Sequence, residues 1–276
     1  MPLLSIVTAA HSPSAKFLPE TMASVAAQEL PDGWELEWMV QEDGPESSIA
    51  DTLKPLSVAQ YRANGSHLGI APTRNFALSR ASGSLVQALD QDDVLLPGHL
   101  ATLISRFVEY PIHWAVGQAD DLLPDGTRRA YPSDIAFGVQ TAGYINEWAA
   151  RNGGNWPIHC AALMMRASSL RALGGWGGIP YDDEISLFAA LSEITDGYYD
   201  EAVTWLYRQH PLQTHRTELS RDWSADCRRI ALQRATAVRV CGLRLDEVAL
   251  PDFEETHNDI RVGPAVKEER TKQSNS

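Results

Sequence analysis

Short apolar runs alternate with helix-like segments along residues 1 to 118. The runs predict strands, and in the segments between them apolar residues recur every three or four positions, which indicates helices. The predicted strands are 3–9, 34–40, 60–62 and 85–89. The predicted helices are 17–28, a stretch from residue 49, 71–80, and 97–110 with Pro97 at its start. This alternation predicts an α/β fold with a mostly parallel central sheet and helices on both faces.

The second half has a less regular pattern. Asp125-Gly126 predicts a hairpin tip within 122–127, and 138–154 is a mixed region. The remaining predicted elements are a strand at 160–166, a short helix at 168–173 closed by Gly174-Gly175, an apolar helix at 185–191, a strand at 203–207 and a helix at 221–240. Periodicity is lost from about residue 252, so we expect 267–276 to be a disordered tail.

Three carboxylates follow the predicted strand 85–89 within four positions. Asp90, Asp92 and Asp93 repel one another and raise each other's pKa unless a cation lies among them. Carboxylate oxygens suit Mg²⁺ or Mn²⁺, and the alternative is a solvated acidic turn that caps the next helix. Polar segments 9–14 and 41–45 also follow strands, and in parallel sheets ligands bind at the carboxyl edge. We therefore expect all three segments to line one crevice.

Composition narrows the function classes. The chain has 276 residues, 44% of them apolar, and eight tryptophans, which indicates a packed globule. Lys and Arg total 23 against 36 Asp and Glu, and a formal charge of -13 excludes a nucleic-acid binder. An acidic protein that binds phosphate groups needs a bound metal cation to offset their charge.

The sequence also suggests a location. No run approaches 18 apolar residues and no basic segment precedes the first strand, so we expect neither stable membrane insertion nor a signal peptide. The three cysteines, Cys160, Cys227 and Cys241, have no metal-ligand spacing. We expect free thiols in a cytoplasmic protein.

Several motifs occur in an order that resembles one family. They are Leu4-Ser5-Ile6-Val7-Thr8, Glu42-Asp43-Gly44, Gly69-Ile70-Ala71-Pro72-Thr73-Arg74-Asn75, Asp90-Gln91-Asp92-Asp93, Leu173-Gly174-Gly175-Trp176, Asp183-Glu184 and Trp205-Leu206-Tyr207-Arg208-Gln209-His210-Pro211-Leu212-Gln213. From about residue 3 to 215 the chain is similar to the family 2 glycosyltransferases of GT-A fold. The resemblance implies an inverting, metal-dependent transfer of a sugar from a nucleotide-sugar to an acceptor hydroxyl.

The resemblance assigns metal ligands to the aspartate motif. Asp90 and Asp92 match the family's DxD pair, which implies that Asp92 ligates Mn²⁺ or Mg²⁺ while Asp90 contacts ribose or the metal shell. The cation would offset the charge that grows on the departing diphosphate. Asp93 either binds the metal, directly or through water, or caps the helix near Pro97. His210 would meet the metal or the diphosphate, with a structural hydrogen bond as the alternative.

The resemblance also implies donor contacts at other strand ends. Thr8 and Ala10 would border the nucleobase, and Glu42 or Asp43 would accept a hydrogen bond from it. Arg74 would reach the base or a phosphate, and the alternative is a surface ion pair. Gln91, inside the aspartate motif, is a further donor-binding candidate.

An acceptor hydroxyl needs a general base, which contributes about 10²- to 10⁴-fold in rate. Asp183-Glu184 matches the family's acidic pair with the order of residue types exchanged. We assign the base to Glu184 by position and keep Asp183 as the alternative. The structural alternative is N-capping of the helix by Asp182 and Asp183. Trp156 and Trp176 are candidates to stack on a sugar ring, and core packing is the alternative role.

The resemblance divides the chain into a nucleotide-sugar-binding half, 1–118, an acceptor-side half of the same domain, 119–250, and a C-terminal tail, 251–276. It implies a nucleotide-sugar partner, with a UDP-sugar as the first candidate, and a glycan, lipid carrier or small molecule as acceptor. Two other function classes stay open. One is a sugar-phosphate nucleotidyltransferase, which normally needs a Gly-rich basic loop that segment 9–14 lacks. The other is a non-catalytic nucleotide-sugar-binding protein.

Overall fold

A computed structural model of the chain describes residues 1–216 and 218–245. The strands are β1 (Leu3–Ala10), β2 (Glu35–Glu42), β3 (Ala59–Ala63), β4 (Leu85–Ala88), β5 (Val94–Leu95), β6 (Trp114–Leu122), β7 (Arg128–Ala130), β8 (Gly138–Gln140), β9 (Met164–Arg166) and β10 (Gly197–Arg208). The α-helices are α1 (Leu18–Ala26), α2 (Ile49–Leu53), α3 (Ile70–Leu78), α4 (His99–Glu109), α5 (Tyr144–Arg151), α6 (Ala167–Ala172), α7 (Asp183–Ile194) and α8 (Glu218–Val240). Two 3₁₀ turns cover Ser12–Phe17 and Thr214–Arg216.

The strands form one sheet in the order β3-β2-β1-β4-β9-β6-β10-β5, with β7 on β6 and β8 on β10. The long pairings are parallel: β1 pairs with β2 from Leu3 to Ala10, and β6 pairs with β10 along its length. The antiparallel pairings of β5, β7, β8 and β9 span only two or three residues each. The sheet is therefore mostly parallel, as the sequence pattern predicts.

Helices cover both faces of the sheet because alternate residues of a strand point to opposite sides. On one face Leu4 and Ile6 of β1 pack with apolar residues of α1, α2 and α4. On the other face Val7 packs with residues of α3, α5, α6 and α7. The two apolar layers confirm the predicted α/β fold class.

The predicted elements of the first half occur at the expected places, within two or three residues at their ends. In the second half the Asp125-Gly126 hairpin joins β6 to β7. The pattern did not predict β6, and β10 begins six residues before the predicted strand. Segment 138–154, expected to be mixed, contains β8 and α5. The strand expected at 160–166 is shortened to β9.

Within residues 1–216 and 218–245, no helix is long and apolar enough to cross a membrane. The thiols of Cys160, Cys227 and Cys241 are free. The tail expected at 267–276, and the whole of segment 251–276, lie outside the described residues.

Candidate functional site

The carboxyl ends of β1, β2 and β4 meet at one edge of the sheet. The amide N–H of Asp43 donates to the carbonyl of Ala10 at 2.7 Å. The Gln91 side chain bonds both backbone groups of His11: its Oε1 accepts from the amide N–H at 2.9 Å, and its Nε2 donates to the carbonyl at 3.1 Å. The three polar segments at the strand ends therefore lie together, as expected, and their lining of a ligand crevice stays a prediction.

Two predicted nucleobase contacts have partners within the fold. The Thr8 hydroxyl donates to the carbonyl of Leu89 at 2.7 Å and accepts from Trp38 Nε1 at 2.8 Å. The buried Glu42 carboxylate accepts from the Tyr61 hydroxyl at 2.5 Å. Burial and this hydrogen bond raise the pKa of Tyr61. These bonds stabilise the strand ends, and a donor contact by Thr8, Ala10 or Glu42 stays a prediction.

Asp43 organises the loop before α3. Its carboxylate accepts from the backbone N–H of Leu68 at 2.6 Å and of Gly69 at 3.1 Å, and from the Asn64 side chain at 3.2 Å. Gly69 has a positive φ of 94°, a conformation that favours glycine. Asp43 thus stabilises the turn from which α3 presents Arg74.

Asp92 and His210 are hydrogen-bonded across 118 residues of sequence, with His210 Nε2 2.6 Å from Asp92 Oδ2. His210 Nδ1 accepts from the N–H of Leu212, so Nε2 carries the proton and donates to Asp92. The imidazole is buried and contacts the Phe17 ring. The structure therefore brings together two of the four residues that the sequence proposes as metal ligands.

Asp93 is anchored on one oxygen and free on the other. Its Oδ1 accepts from the backbone N–H of Arg208 at 2.9 Å, and its buried Oδ2 has no hydrogen-bond partner among the described residues. Burial, and then the charges of Asp92 and Asp90, raise the pKa of Asp93 well above its ordinary value. Helix α4 begins at His99 without a side-chain cap, so the interpretation of Asp93 as its cap is wrong.

Arg208 contacts the aspartate motif, and the sequence reasoning did not single it out. Its Nε donates to the carbonyl of Asp92 at 2.6 Å, and its Nη2 contacts Glu20 of α1 at 2.5 Å. With its backbone bond to Asp93, Arg208 joins the end of β10 to the aspartate motif. Its place two residues before His210 in the family-like segment was the available signal.

Arg74 lies at the centre of a cluster of carboxylates. Its Nη2 is 2.5 Å from Asp90 Oδ1 and 2.5 Å from Glu184 Oε1, and its Nη1 is 2.8 Å from Asp183 Oδ2. Only 2% of the Arg74 side chain is exposed. Arg74 therefore forms ion pairs, but they are buried and not at the surface as the alternative proposed. A contact of Arg74 with the donor stays a prediction.

The carboxyl groups of this cluster ionise differently. Burial and the Glu184 charge raise the pKa of Asp183 well above its ordinary value. Burial also favours the neutral form of Glu184, but the Arg74 charge and a hydrogen bond from Asp183 outweigh it and lower the pKa of Glu184. Burial raises the pKa of Asp90 to about 6, although Arg74 opposes the shift. The pKa values of Asp183 and Glu184 are therefore shifted in opposite directions, which favours the ionised form in Glu184.

The start of α7 does not use its acids as caps. Asp182 occupies the N-cap position with a positive φ of 55° and makes no side-chain cap hydrogen bond; instead its carboxylate contacts Arg228 of α8 at 3.3 Å. Asp183 points to Arg74. The capping interpretation of Asp182 and Asp183 is therefore wrong.

Both candidate tryptophans have structural contacts. Trp176 is buried with the Arg74 guanidinium 5.9 Å from its ring centre. Trp156 is half-buried and donates from Nε1 to Asn146 at 3.0 Å. Packing, the alternative to sugar stacking, describes Trp176.

No group of three His, Cys, Asp or Glu side chains in the described part of the chain is arranged to hold a metal ion. The donor chemistry nevertheless suits a hard cation, because Asp92, Asp93 and Asp90 offer carboxylate oxygens at one edge and Asp93 Oδ2 is buried without a partner. The Asp92 oxygen nearest to His210 is occupied by a proton of the imidazole.

The comparisons with known proteins show the family through one match and the fold through another. A family model described as Glycosyl transferase family 2 matches residues 5–174. Residues 1–349 of S. aureus TarS superpose with a TM-score of 0.63 at 16% identity, covering 90% of this chain and 67% of that one. TarS 1–349 in complex with UDP-GlcNAc gives a TM-score of 0.63 at 15% identity, with 90% and 68% coverage. Against the longer TarS chain the TM-score is 0.62 at 15% identity, and this chain spans 41% of its length. No curated protein sequence matches. The likeness confirms the GT-A fold.

Proposed function

Since the chain belongs to glycosyl transferase family 2 and is a glycosyltransferase, we propose that it moves a sugar from a nucleotide-sugar to an acceptor hydroxyl by an inverting, metal-assisted reaction. One observation carries the proposal: Arg74 bonds both Asp90 of the aspartate motif and Glu184 of α7. Donor-side and acceptor-side acids about 90 positions apart in sequence thus form one site. The family match favours sugar transfer over the nucleotidyltransferase and the non-catalytic binder.

The donor side would hold a divalent cation. Asp92 and Asp93 would bind it, with Asp90 beside them, and the buried free oxygen of Asp93 supports this assignment. His210 would become a ligand only after Nε2 loses the proton that it donates to Asp92, and otherwise it would orient that carboxylate. When bound, Mn²⁺ or Mg²⁺ would offset the charge on the departing diphosphate. The formal charge of -13 supports a need for such a cation.

The acceptor side would supply the base. Glu184 has 21% of its side chain exposed, whereas Asp183 has only 4%, so an acceptor hydroxyl can reach Glu184 more easily. Glu184 would take the hydroxyl proton while the oxygen attacks the anomeric carbon from the face opposite the leaving diphosphate. A product with retained anomeric configuration would contradict this direct displacement.

The partners are proposed at the level of chemical class. The donor is a UDP-sugar, which the TarS complexes with UDP and UDP-GlcNAc support. The acceptor is a hydroxyl-bearing glycan, lipid carrier or small molecule. The free thiols support a cytoplasmic location.

A thermal-shift screen tests the donor directly. UDP-, GDP-, CMP- and dTDP-sugars are compared with and without Mn²⁺, because a ligand that binds only the folded state raises its unfolding temperature. We expect a UDP-sugar to stabilise the protein in the presence of Mn²⁺. No shift with any nucleotide-sugar would contradict the proposal.

Asp92→Asn tests the metal assignment. Removing this charge should abolish Mn²⁺-dependent binding of UDP in calorimetry, because the cation loses a carboxylate ligand. Asp51→Asn is the matched control, since Asp51 is exposed and its ion pair in the described part of the chain is with Lys54. If Asp92→Asn binds UDP as tightly as the control, the metal assignment is wrong.

A further inference from the structure

One buried guanidinium joins three carboxylates that come from distant segments. Arg74 from α3 bonds Asp90 after β4, and Asp183 and Glu184 at the start of α7. A single nitrogen, Nη2, contacts both Asp90 and Glu184. The position of the acceptor-side carboxylate is thereby tied to the donor-side motif through one atom.

The Arg74 guanidinium also contacts the ring of Trp176. Trp176 packs under it, and Asn75 fixes Trp176 by two bonds of 2.9 Å, one to its carbonyl and one from its N–H. Arginine has a rigid planar fork that can bond several carboxylates at fixed angles, which a lysine ammonium cannot reproduce. The local fold therefore determines where Arg74 places its partners.

The burial of Arg74 argues against a direct donor contact. Its Nη1 and Nη2 are occupied by carboxylates, and its remaining Nε is buried. A phosphate at Nη2 would compete with Asp90 and Glu184, which already contact that nitrogen. The contacts fit a residue that arranges other residues.

We propose, on the basis of the proposed function, that Arg74 is a positioning residue that holds the Glu184 carboxylate beside Asp90 and so aligns the base with the donor. Its effect on the reaction passes through Glu184. Donor binding itself does not require Arg74.

Several other groups also face this cluster and contribute to its charge. These groups are Asp90 after β4, Asp182 and Asp183 at the start of α7, the Cys160 thiol and the Tyr207 hydroxyl of β10. Arg74 is the cation that bonds Glu184, and it lowers the pKa of that group against the effect of burial. Weakening this contact should therefore make Glu184 harder to ionise.

Arg74→Lys separates positioning from donor binding. We expect kcat to fall roughly 10- to 100-fold, because the base is displaced from its reacting geometry. The UDP affinity in Mn²⁺, measured by calorimetry, should fall by a smaller factor. The acidic limb of the kcat/KM profile should move to higher pH. A loss of affinity equal to or larger than the loss of kcat, or an unmoved limb, overturns the proposal.

Arg166→Lys is the matched control. Arg166 is also a buried arginine, but its Nε donates to the backbone carbonyl of Ile112 and not to a carboxylate. We expect its kcat and acidic limb to match those of the wild type. If Arg74→Lys does not fold, Trp176→Phe takes its place, because it changes the ring that packs against the guanidinium. The same changes in kcat, UDP affinity and acidic limb are then expected.

A stability cycle keeps this inference separate from the proposed function. Thermal unfolding is measured for Arg74→Lys, Glu184→Gln and the double variant, without substrate. If Arg74 holds Glu184, the double variant loses less than the sum of the single losses. Additive losses overturn the inference even if sugar transfer is found, and absence of transfer by the wild type overturns only the proposed function.

Discussion

Asp183 and Glu184 are neighbours in sequence with different surroundings. Asp183 is more buried and its pKa is raised, whereas the pKa of Glu184 is lowered by Arg74 and by the hydrogen bond from Asp183. These opposite shifts favour the neutral form in Asp183 and the ionised form in Glu184. The choice between them, open at the level of sequence, is therefore decided by environment in our proposal.

Glu184→Gln should lower kcat by about 10²- to 10⁴-fold, the usual contribution of a general base. UDP binding in Mn²⁺ should persist, because Glu184 lies on the acceptor side. Asp183→Asn is the comparison and should retain more activity, since it preserves a donor to Glu184. Greater loss in Asp183→Asn, measured as kcat at saturating donor, would transfer the role of base to Asp183.

His99 makes stability depend on pH. It is fully buried, and burial lowers its pKa from 6.5 to about 3. Below pH 6.5 the unfolded chain binds a proton that folded His99 does not, so stability falls as the pH drops from 6.5 toward 3. At pH 5 the cost is about 2 kcal/mol, from about 1.4 kcal/mol per pH unit.

His99→Gln should remove this part of the pH dependence. Urea unfolding at pH 7 and pH 5 should show a loss on acidification that is about 2 kcal/mol smaller in the variant than in the wild type. The opposing carboxyl groups, such as Asp90, are present in both proteins and cancel in the comparison. Equal losses would mean that His99 is protonated in the folded state.

The residue types of the site were predictable, but their partners were not. Carboxylates at strand ends marked Asp90, Asp92 and Asp93, because such positions share one edge of a parallel sheet. The pairing of Arg74 with Asp183 and Glu184 joins segments about 110 positions apart, and no local pattern encodes it. The metal ligands remain predictions from residue type.

At the scale of elements, the turn after α6 places Trp176 against Arg74, the residue that bonds both Asp90 and Glu184. Gly174 and Gly175 end α6 with φ of +76° and +72°. A Cβ on Gly175 would lie 2.2 Å from Asn75 Oδ1, the atom that accepts from the N–H of Trp176. The turn must therefore be glycine if Asn75 is to hold Trp176 beneath Arg74.

Gly175→Ala should destabilise the protein by about 2–4 kcal/mol, from backbone strain and the lost hydrogen bonds. Gly174→Ala is the control, since its φ is similar but no atom lies within 4 Å of the added Cβ. That variant should lose only about 1–2 kcal/mol of strain energy. Equal losses in urea unfolding would show that the contact with Asn75 contributes nothing.

Strands and helices with a regular pattern of apolar residues were predictable from the sequence. Elements whose pattern is interrupted by glycine or charged residues were not. Strands β1, β2 and β4 are largely buried and lie beside periodic helices, so local pattern and tertiary position agree. β6 contains Gly117 and carries Asp120 and Asp121 just before its last residue, and the buried Asp121 forms an ion pair with Arg129 of β7. Its strand character depends on pairing with β10, which a local window cannot detect.

At the scale of the whole molecule, the proposed donor and the protein both carry negative charge. The chain has a formal charge of -13, and the crevice adds the aspartate motif and the acids of α7. Without a cation this field should repel a nucleoside diphosphate. Salt screens such repulsion, because the Debye length falls from about 30 Å at 0.01 M to about 8 Å at 0.15 M ionic strength.

In EDTA, UDP should therefore bind a few-fold more tightly at 0.15 M than at 0.01 M ionic strength, the reverse of the usual trend for phosphate sites built from basic residues. With Mn²⁺ the increase should disappear, because the cation offsets the carboxylates around the diphosphate. Equilibrium dialysis of labelled UDP measures both conditions, and uncharged uridine is the control that should respond to neither salt nor Mn²⁺. Affinity that falls with salt in EDTA would show that local basic groups such as Arg208 outweigh the charge of the whole molecule, and the cation would then not be needed to admit the donor.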